Sequence, residues 1–335
     1  KEPILAVLGL AGGLLHVLNH SLFKGLLFLC AGAVLHTTHT REIDHLGGLV
    51  KRMPWTSAFF LLGSVAICGL PPLNGFVSEF LIYLGAFHGT GLLRFSIAGI
   101  LTITGLAMIG TLAVSCFTKA FGIVFLGEPR SDHAVKGHEV NKVMRIAMLL
   151  PAMGCIVIGF GASLAPEALH HVLQLLTGMP DSLISYHLHS TKEPLSKVAT
   201  VSVIGVLLLS VLFMLRRALF AHQVVRQSGT WDCGYLKPDS RMQYTASSFA
   251  QPIKAMFQAL IPTRRMGDPV EDIFPRHASL LTESPDLFQH RLFIPLFRSA
   301  GKLMLKWHGL QQGRVQLYVL YVAVTLLVLL VWNLK

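Results

Sequence analysis

The sequence predicts an all-α, polytopic membrane bundle of about six transmembrane helices, one of them discontinuous. Of its 335 residues, 53% are hydrophobic and only 13% charged. The apolar residues collect into runs of about twenty or more, the length a helix needs to cross about 30 Å of hydrocarbon. One run is interrupted by G-L-P-P-L-N-G at 69–75. The net charge of +11 does not point to nucleic acid, because the basic residues lie mainly in connectors between apolar runs and not on a soluble face.

The first run, 4–34, contains H-V-L-N-H-S-L-F-K, which places His16, His20 and Lys24 four residues apart and so on one helix face. Ionisable groups at membrane depth are costly and normally line a bundle interior or a hydrated path. The competing reading for His20 is a packing histidine bonded to a neighbour's carbonyl; two histidines and a lysine on one face weigh against it. The second run, 55–87, is too long for one simple span, and each half alone is too short to cross. Pro71 and Pro72 remove helix donors and Gly75 permits a departure from the ladder, so the run reads as one broken helix, with a re-entrant hairpin as the alternative. Glu79 begins the second half. There the start of a helix favours the carboxylate, while burial opposes it.

The third run, 93–125, is largely apolar and carries Lys119, which either snorkels to the interface or terminates a proton route. The fourth, 143–163, reads as scaffold. The fifth, 196–218, ends at the interfacial pair Arg216-Arg217. The sixth, 314–333, has Tyr318, Tyr321 and Trp332 as interface anchors. The expected organisation is a five-span bundle over 1–218, a connector with amphipathic helices over 219–313, and a final span over 314–335.

Between the spans, 35–54 carries Arg41, Lys51 and Arg52, 126–142 carries Arg130, Lys136 and Lys142, and the long connector 219–313, which weighs less, carries about a dozen basic residues; the opposite side has only Arg94, Lys192, Lys197 and the terminal Lys335. Positive residues favour the cytoplasmic face, which puts both termini outside. Residues 165–190 read as an exposed connector whose Glu167, His170, His171, His187 and His189 are too irregular for a metal site. Four of the five cysteines stand in apolar runs at spacings that imply no metal or disulfide, and Asp232–Cys233 lacks a histidine partner for nucleophilic work. In the connector, I-K-A-M-F-Q-A-L and 287–312 read as amphipathic helices, the latter with Phe288, Leu292, Phe293, Leu296 and Phe297 opposed to basic residues. Prolines at 252, 262, 269, 275, 285 and 295 argue against one straight helix through it.

With H-L-G-G-L-V-K-R-M-P and G-L-P-P-L-N-G-F-V-S-E-F beside the histidine–lysine run, the sequence resembles the antiporter-like proton-translocating membrane subunits shared by respiratory complex I, membrane-bound hydrogenases and Mrp-type cation/proton antiporters. W-D-C-G-Y at 231–235, R-M-Q-Y-T-A-S-S-F-A at 241–250 and the late G-R-V-Q-L-Y-V-L-Y are similar to the hydrogenase-4 and formate hydrogenlyase branch. The resemblance implies that Lys24 sits on a central hydrophilic axis, that His16 and His20 relay protons along it, and that Glu79 is the ionisable residue just beyond the helix break. It covers only the C-terminal part of such proteins. The helices bearing their other acid–lysine pair are absent, and the start at Lys1-Glu2-Pro3 points to a fragment, a split-gene product or a remnant. Relatives carry a lateral amphipathic helix before the last span, in the place of residues 240–312.

The expected function is proton translocation within a hydrogenase-like respiratory complex in the bacterial cytoplasmic (inner) membrane, as a component without its own redox site. No ligand set for nickel, iron–sulfur or quinone is present, so no cofactor is expected. The expected partners are other membrane subunits of a hydrogenase or complex I-like assembly, a peripheral hydrogenase arm, protons and lipid, with no nucleic acid. The alternatives are an Mrp-like monovalent cation/proton antiporter subunit and a non-pumping anchor.

Overall fold

The computed structural model describes residues 2–223, 240, 242–258, 262–267, 280–307 and 313–334. W-D-C-G-Y, and with it Asp232 and Cys233, lies outside the described residues. The described chain is an all-α membrane bundle built as two compact units, Lys1–Phe249 and Ala250–Lys335. Among the described residues, five helices are long and apolar enough to cross a membrane.

The first unit is organised around α1 (Pro3–Thr38), whose buried residues Leu8, Ala11, Leu15, Asn19, Phe23, Leu26, Cys30, Ala33 and Thr37 recur every three to four positions. Two shorter helices, α2 (Pro54–Ile67) and α3 (Asn74–Thr90), run antiparallel to it in one unbroken order. Thr37 meets Met53, Leu27 faces Gly63, Asn19 meets Asn74, His16 meets Ser78, Gly12 faces Ile82 and Gly85 faces Leu8. Partners that climb α1 without turning back define a discontinuous helix, not a re-entrant hairpin. The break occupies 68–73.

Two further long helices enclose this pair. α4 (Ser96–Phe125) closes on α2 through the Phe60, Phe117 and Phe125 rings. A short helix, α5 (Asp132–Lys136), leads into α6 (Lys142–Phe160), which follows α1 with Met148 against Cys30 and Gly154 against Leu22. At Gly159 the α6 backbone lies directly on Pro72 and Leu73 of the break, with no room there for a Cβ.

Residues 165–190, expected from sequence as an exposed connector, are largely exposed but helical. They form α7 (His170–Thr177) and the first turns of α8 (Asp181–Leu219), which is 39 residues long and absorbs the expected fifth span. The cause is a buried stripe, Ile184, Leu188, Thr191 and Leu195, that packs in one cluster with Leu173 of α7 and with Val7, Leu8 and Ala11 of α1. Beyond Val201 most α8 side chains are exposed and apolar as far as the Arg216-Arg217 pair, as suits lipid or a partner helix.

Two basic connectors, 35–54 and 126–142, meet at one end of this unit. Glu139 caps α2 from outside its own segment: Oε2 accepts from the backbone N–H groups of Trp55 (2.7 Å) and Thr56 (3.3 Å), and Oε1 from Thr56 Oγ1 (2.6 Å). Arg130 Nη1 donates to the carbonyls of Leu46 (2.9 Å) and Ile123 (2.7 Å). Burial pushes this guanidinium below its usual pKa and the Asp44 carboxylate opposes that, so it stays charged. The string R-M-Q-Y-T-A-S-S-F-A fastens onto the same place. Gln243 accepts from the Glu128 N–H (2.9 Å), the Tyr244 carbonyl accepts from Arg130 Nη2 (3.2 Å), and Asp44 Oδ1 accepts from the Ala246 N–H (2.7 Å). Thr245 Oγ1 then accepts from the Ser248 N–H (3.1 Å) at the start of α9 (Ala246–Met256). That helix starts seven residues before the expected I-K-A-M-F-Q-A-L string and shares only its first four residues, because Thr245 supplies the start signal.

In the second unit, strands β1 (Arg264–Gly267) and β2 (Leu280–Glu283) pair antiparallel, Arg264 opposite Glu283. A π-helical turn at Gln289–Phe293 leads into α10 (Ile294–Trp307), and α11 (Val315–Asn333) is the last apolar helix. The strands are a local addition that sequence reading did not foresee.

Two outcomes test this packing. Gly159→Val is expected to destabilise the detergent-purified chain by about 1–3 kcal/mol through overpacking against the break, whereas Gly105→Ala, with open space around it, changes stability by less than about 0.5 kcal/mol. Glu139→Ala removes the α2 cap and is expected to cost about 1–2 kcal/mol. Denaturant or thermal unfolding measures both.

Candidate functional site

At the level of the break, α1 and α3 exchange buried polar bonds in the middle of the apolar bundle. Asn19, Asn74 and Ser78 are all fully buried. The Asn19 amide donates to the Asn74 backbone carbonyl (2.7 Å) and to Ser78 Oγ (3.1 Å), and the Asn74 amide donates to Asn19 Oδ1 (3.2 Å). Ser78 Oγ donates to the Gly75 carbonyl (3.0 Å) and lies 3.1 Å from His16 Nδ1. Ser78 has one hydrogen to give. That hydrogen reaches the Gly75 carbonyl or His16 Nδ1, so the contact ties the imidazole to α3 in either tautomer. Asn74 Oδ1 is buried without a hydrogen-bond donor, with the Cys155 thiol of α6 beside its side chain.

The structure brings His16 to this junction and places the other candidates around it. The His20 ring lies 6.2 Å from that of His16 and 5.4 Å from that of Phe23, and His20 is exposed on the face of α1 that carries Val17, Leu18 and Phe28. Lys24 is half-buried, its Nζ 5.4 Å from the Phe28 ring centroid; no ion pair among the described residues reaches it. Glu79 is half-buried and its carboxylate folds back over the break against Gly69, whose φ is +63°. Because α3 begins at Asn74, Glu79 stands in its second turn and not at its start, so its backbone position lies beyond the strongest part of the helix-end field expected from sequence. Lys119 is half-buried near the C-terminal end of α4 and makes no hydrogen bond or ion pair with the described residues.

The sequence motifs at the site contain Asn19, Asn74 and Ser78, yet sequence reasoning did not single out these residues. Asn19 occupies the buried stripe of α1 between Leu15 and Phe23, where an amide needs an internal partner. That signal was present in the periodicity.

These residues form a polar junction at the break of a membrane helix, with titratable groups on the helix beside it. Residues 4–109 match the family model described as NADH:quinone oxidoreductase/Mrp antiporter, transmembrane. Hydrogenase-4 component B of Escherichia coli K12 is 36% identical over 344 residues, covering 98% of this chain and 50% of that protein. Formate hydrogenlyase subunit 3 of the same organism is 35% identical over 277 residues, covering 81% and 43%. The match to that family model lies in the first third of the chain, and the chain spans about half the length of the curated relatives it matches. The fold is also similar to a chain in the membrane-bound sulfane sulfur reductase, an archaeal respiratory membrane complex, with a TM-score of 0.58 at 20% identity over 97% of this chain and 48% of that one.

Gly69→Ala tests the seat of Glu79. A methyl there meets the carboxylate and must adopt a left-handed backbone, so a loss of about 1–2 kcal/mol in unfolding free energy is expected.

Proposed function

We propose that this chain forms part of the proton path of a hydrogenase-like respiratory complex in the bacterial cytoplasmic membrane. The observation that carries the reading is the polar junction at the helix break, which joins His16 to the turn of α3 that holds Glu79. Lys24 stores a proton, and nearby charge sets whether it is held or released: opposite charge stabilises the ammonium, like charge expels the proton. His20 and His16 pass it along α1 with water bridging the gap between their rings. Glu79 exchanges it across the break, and Lys119 terminates the route toward the basic connectors.

The exposed position of His20 favours an assembly. A histidine on an otherwise apolar membrane face is costly against lipid, so another membrane subunit or segment covers this face of α1. Redox chemistry then belongs to a peripheral arm. The basic end that carries Arg41, Arg52, Lys136 and Arg130 is the cytoplasmic one.

In inverted vesicles containing the assembled complex, Lys24→Ala and Glu79→Gln are each expected to lower redox-driven proton uptake by about tenfold or more, the scale lost when a positioned proton-transfer group is removed. Assembly and dye-linked redox activity persist. Unchanged proton uptake in either variant contradicts the assigned role. Sodium-dependent proton exchange by vesicles lacking a hydrogenase partner contradicts the hydrogenase reading and supports cation/proton antiport.

A further inference from the structure

The second unit contains a cavity of about 260 Å³ lined by Pro262, Arg264, Pro285, Asp286, His290 and Arg291. The proton path makes no use of it. Its two guanidinium groups come from different elements, Arg264 from the first residue of β1 and Arg291 from the π-helical turn before α10. Neither has a carboxylate partner at salt-bridge distance among the described residues. Asp286, the one acid in the lining, is engaged elsewhere: its Oδ1 accepts from the Gln289 N–H (3.1 Å) and its backbone carbonyl from the His290 N–H (3.1 Å). Among the described residues the cavity thus presents two guanidinium forks without a carboxylate partner and an imidazole, against the single acid Asp286, a net donor set that matches the oxygens of a phosphate group.

The helix that leaves the cavity sets the source of that phosphate. Arg291, Arg298 and Lys302 recur at intervals of seven and four residues and form one basic ridge. The opposite side carries Leu292, Leu296, Leu303 and Met304, all exposed in this unit. Such a helix lies in a membrane interface, with its apolar side in the acyl chains and its basic side at headgroup level. Only eight peptide steps separate Trp307 from Val315, where the spanning helix α11 begins, so α10 ends within at most about 29 Å of the membrane entry.

We propose that this cavity binds the phosphate headgroup of an anionic phospholipid, fixing α10 to the membrane surface. Arg264 and Arg291 grip the phosphate oxygens, and the ridge behind them reads the negative leaflet.

The test titrates the detergent-solubilised full chain separately with short-chain phosphatidylglycerol, short-chain phosphatidylcholine and inorganic phosphate, reading bound ligand by native mass spectrometry. Phosphatidylglycerol is expected to bind at least about tenfold more tightly than phosphatidylcholine, and Arg264→Ala/Arg291→Ala is expected to abolish that preference. Lys302→Ala, on the ridge but outside the cavity, is expected to change it by less than about twofold. If the alanine pair fails to fold, Arg264→Lys/Arg291→Lys keeps the charge, loses the forks and is expected to reduce the preference about threefold. Equal binding of the two lipids, an unchanged preference in the cavity variants, or an equal loss in Lys302→Ala overturns the proposal. Inorganic phosphate binding as tightly as phosphatidylglycerol overturns the lipid as its source.

Discussion

Breaking a helix at membrane depth strips backbone donors and acceptors of their partners where lipid offers none. Here the amide of Asn19 reaches across from an intact helix, donates to the Asn74 carbonyl and to Ser78, and receives the Asn74 amide in return. Every other feature of the site depends on that exchange. It fixes the height at which α3 restarts, and thereby the turn from which Glu79 folds back toward Gly69 and the hydroxyl that His16 meets.

Close backbone approach holds the junction in place. Gly159 of α6 rests on Pro72 and Leu73, Gly75 rests on the Ala66 carbonyl, and Gly63 receives Leu27 of α1. Apolar association is weak as a driving force between helices in lipid, so small residues that let surfaces interlock contribute through dispersion. The basic end is built differently. Its contacts are charge-assisted, with Glu139 on the start of α2 and Arg130 on two carbonyls, and the segment Gln243–Ala246 threads through them. A string with no visible chemistry in sequence therefore serves to fasten the start of α9 to the bundle.

Much of the fold was legible because the bilayer leaves few options. Apolar run length gave the long helices, and the paired prolines at 71 and 72 marked the interruption. The start of α8 was not legible, since the histidines at 187 and 189 and Pro194 disguised a buried stripe whose period only packing reveals. The titratable residues His16, His20, Lys24 and Glu79 stood out as charges in apolar runs. Asn19, Asn74 and Ser78 did not, because an uncharged polar residue in such a run acquires meaning only when its partner, some fifty-five to sixty positions away, is known. The family match then accounts for the pattern without fixing each residue's role.

A double-mutant cycle between Asn19 and Asn74, read by unfolding of the detergent-purified chain, tests the junction most directly. With each residue replaced by alanine singly and together, a favourable coupling of about 1 kcal/mol is expected, within the range for hydrogen bonds between membrane helices. Losses that add to within about 0.3 kcal/mol would show that the two side chains act independently and that something else holds the break.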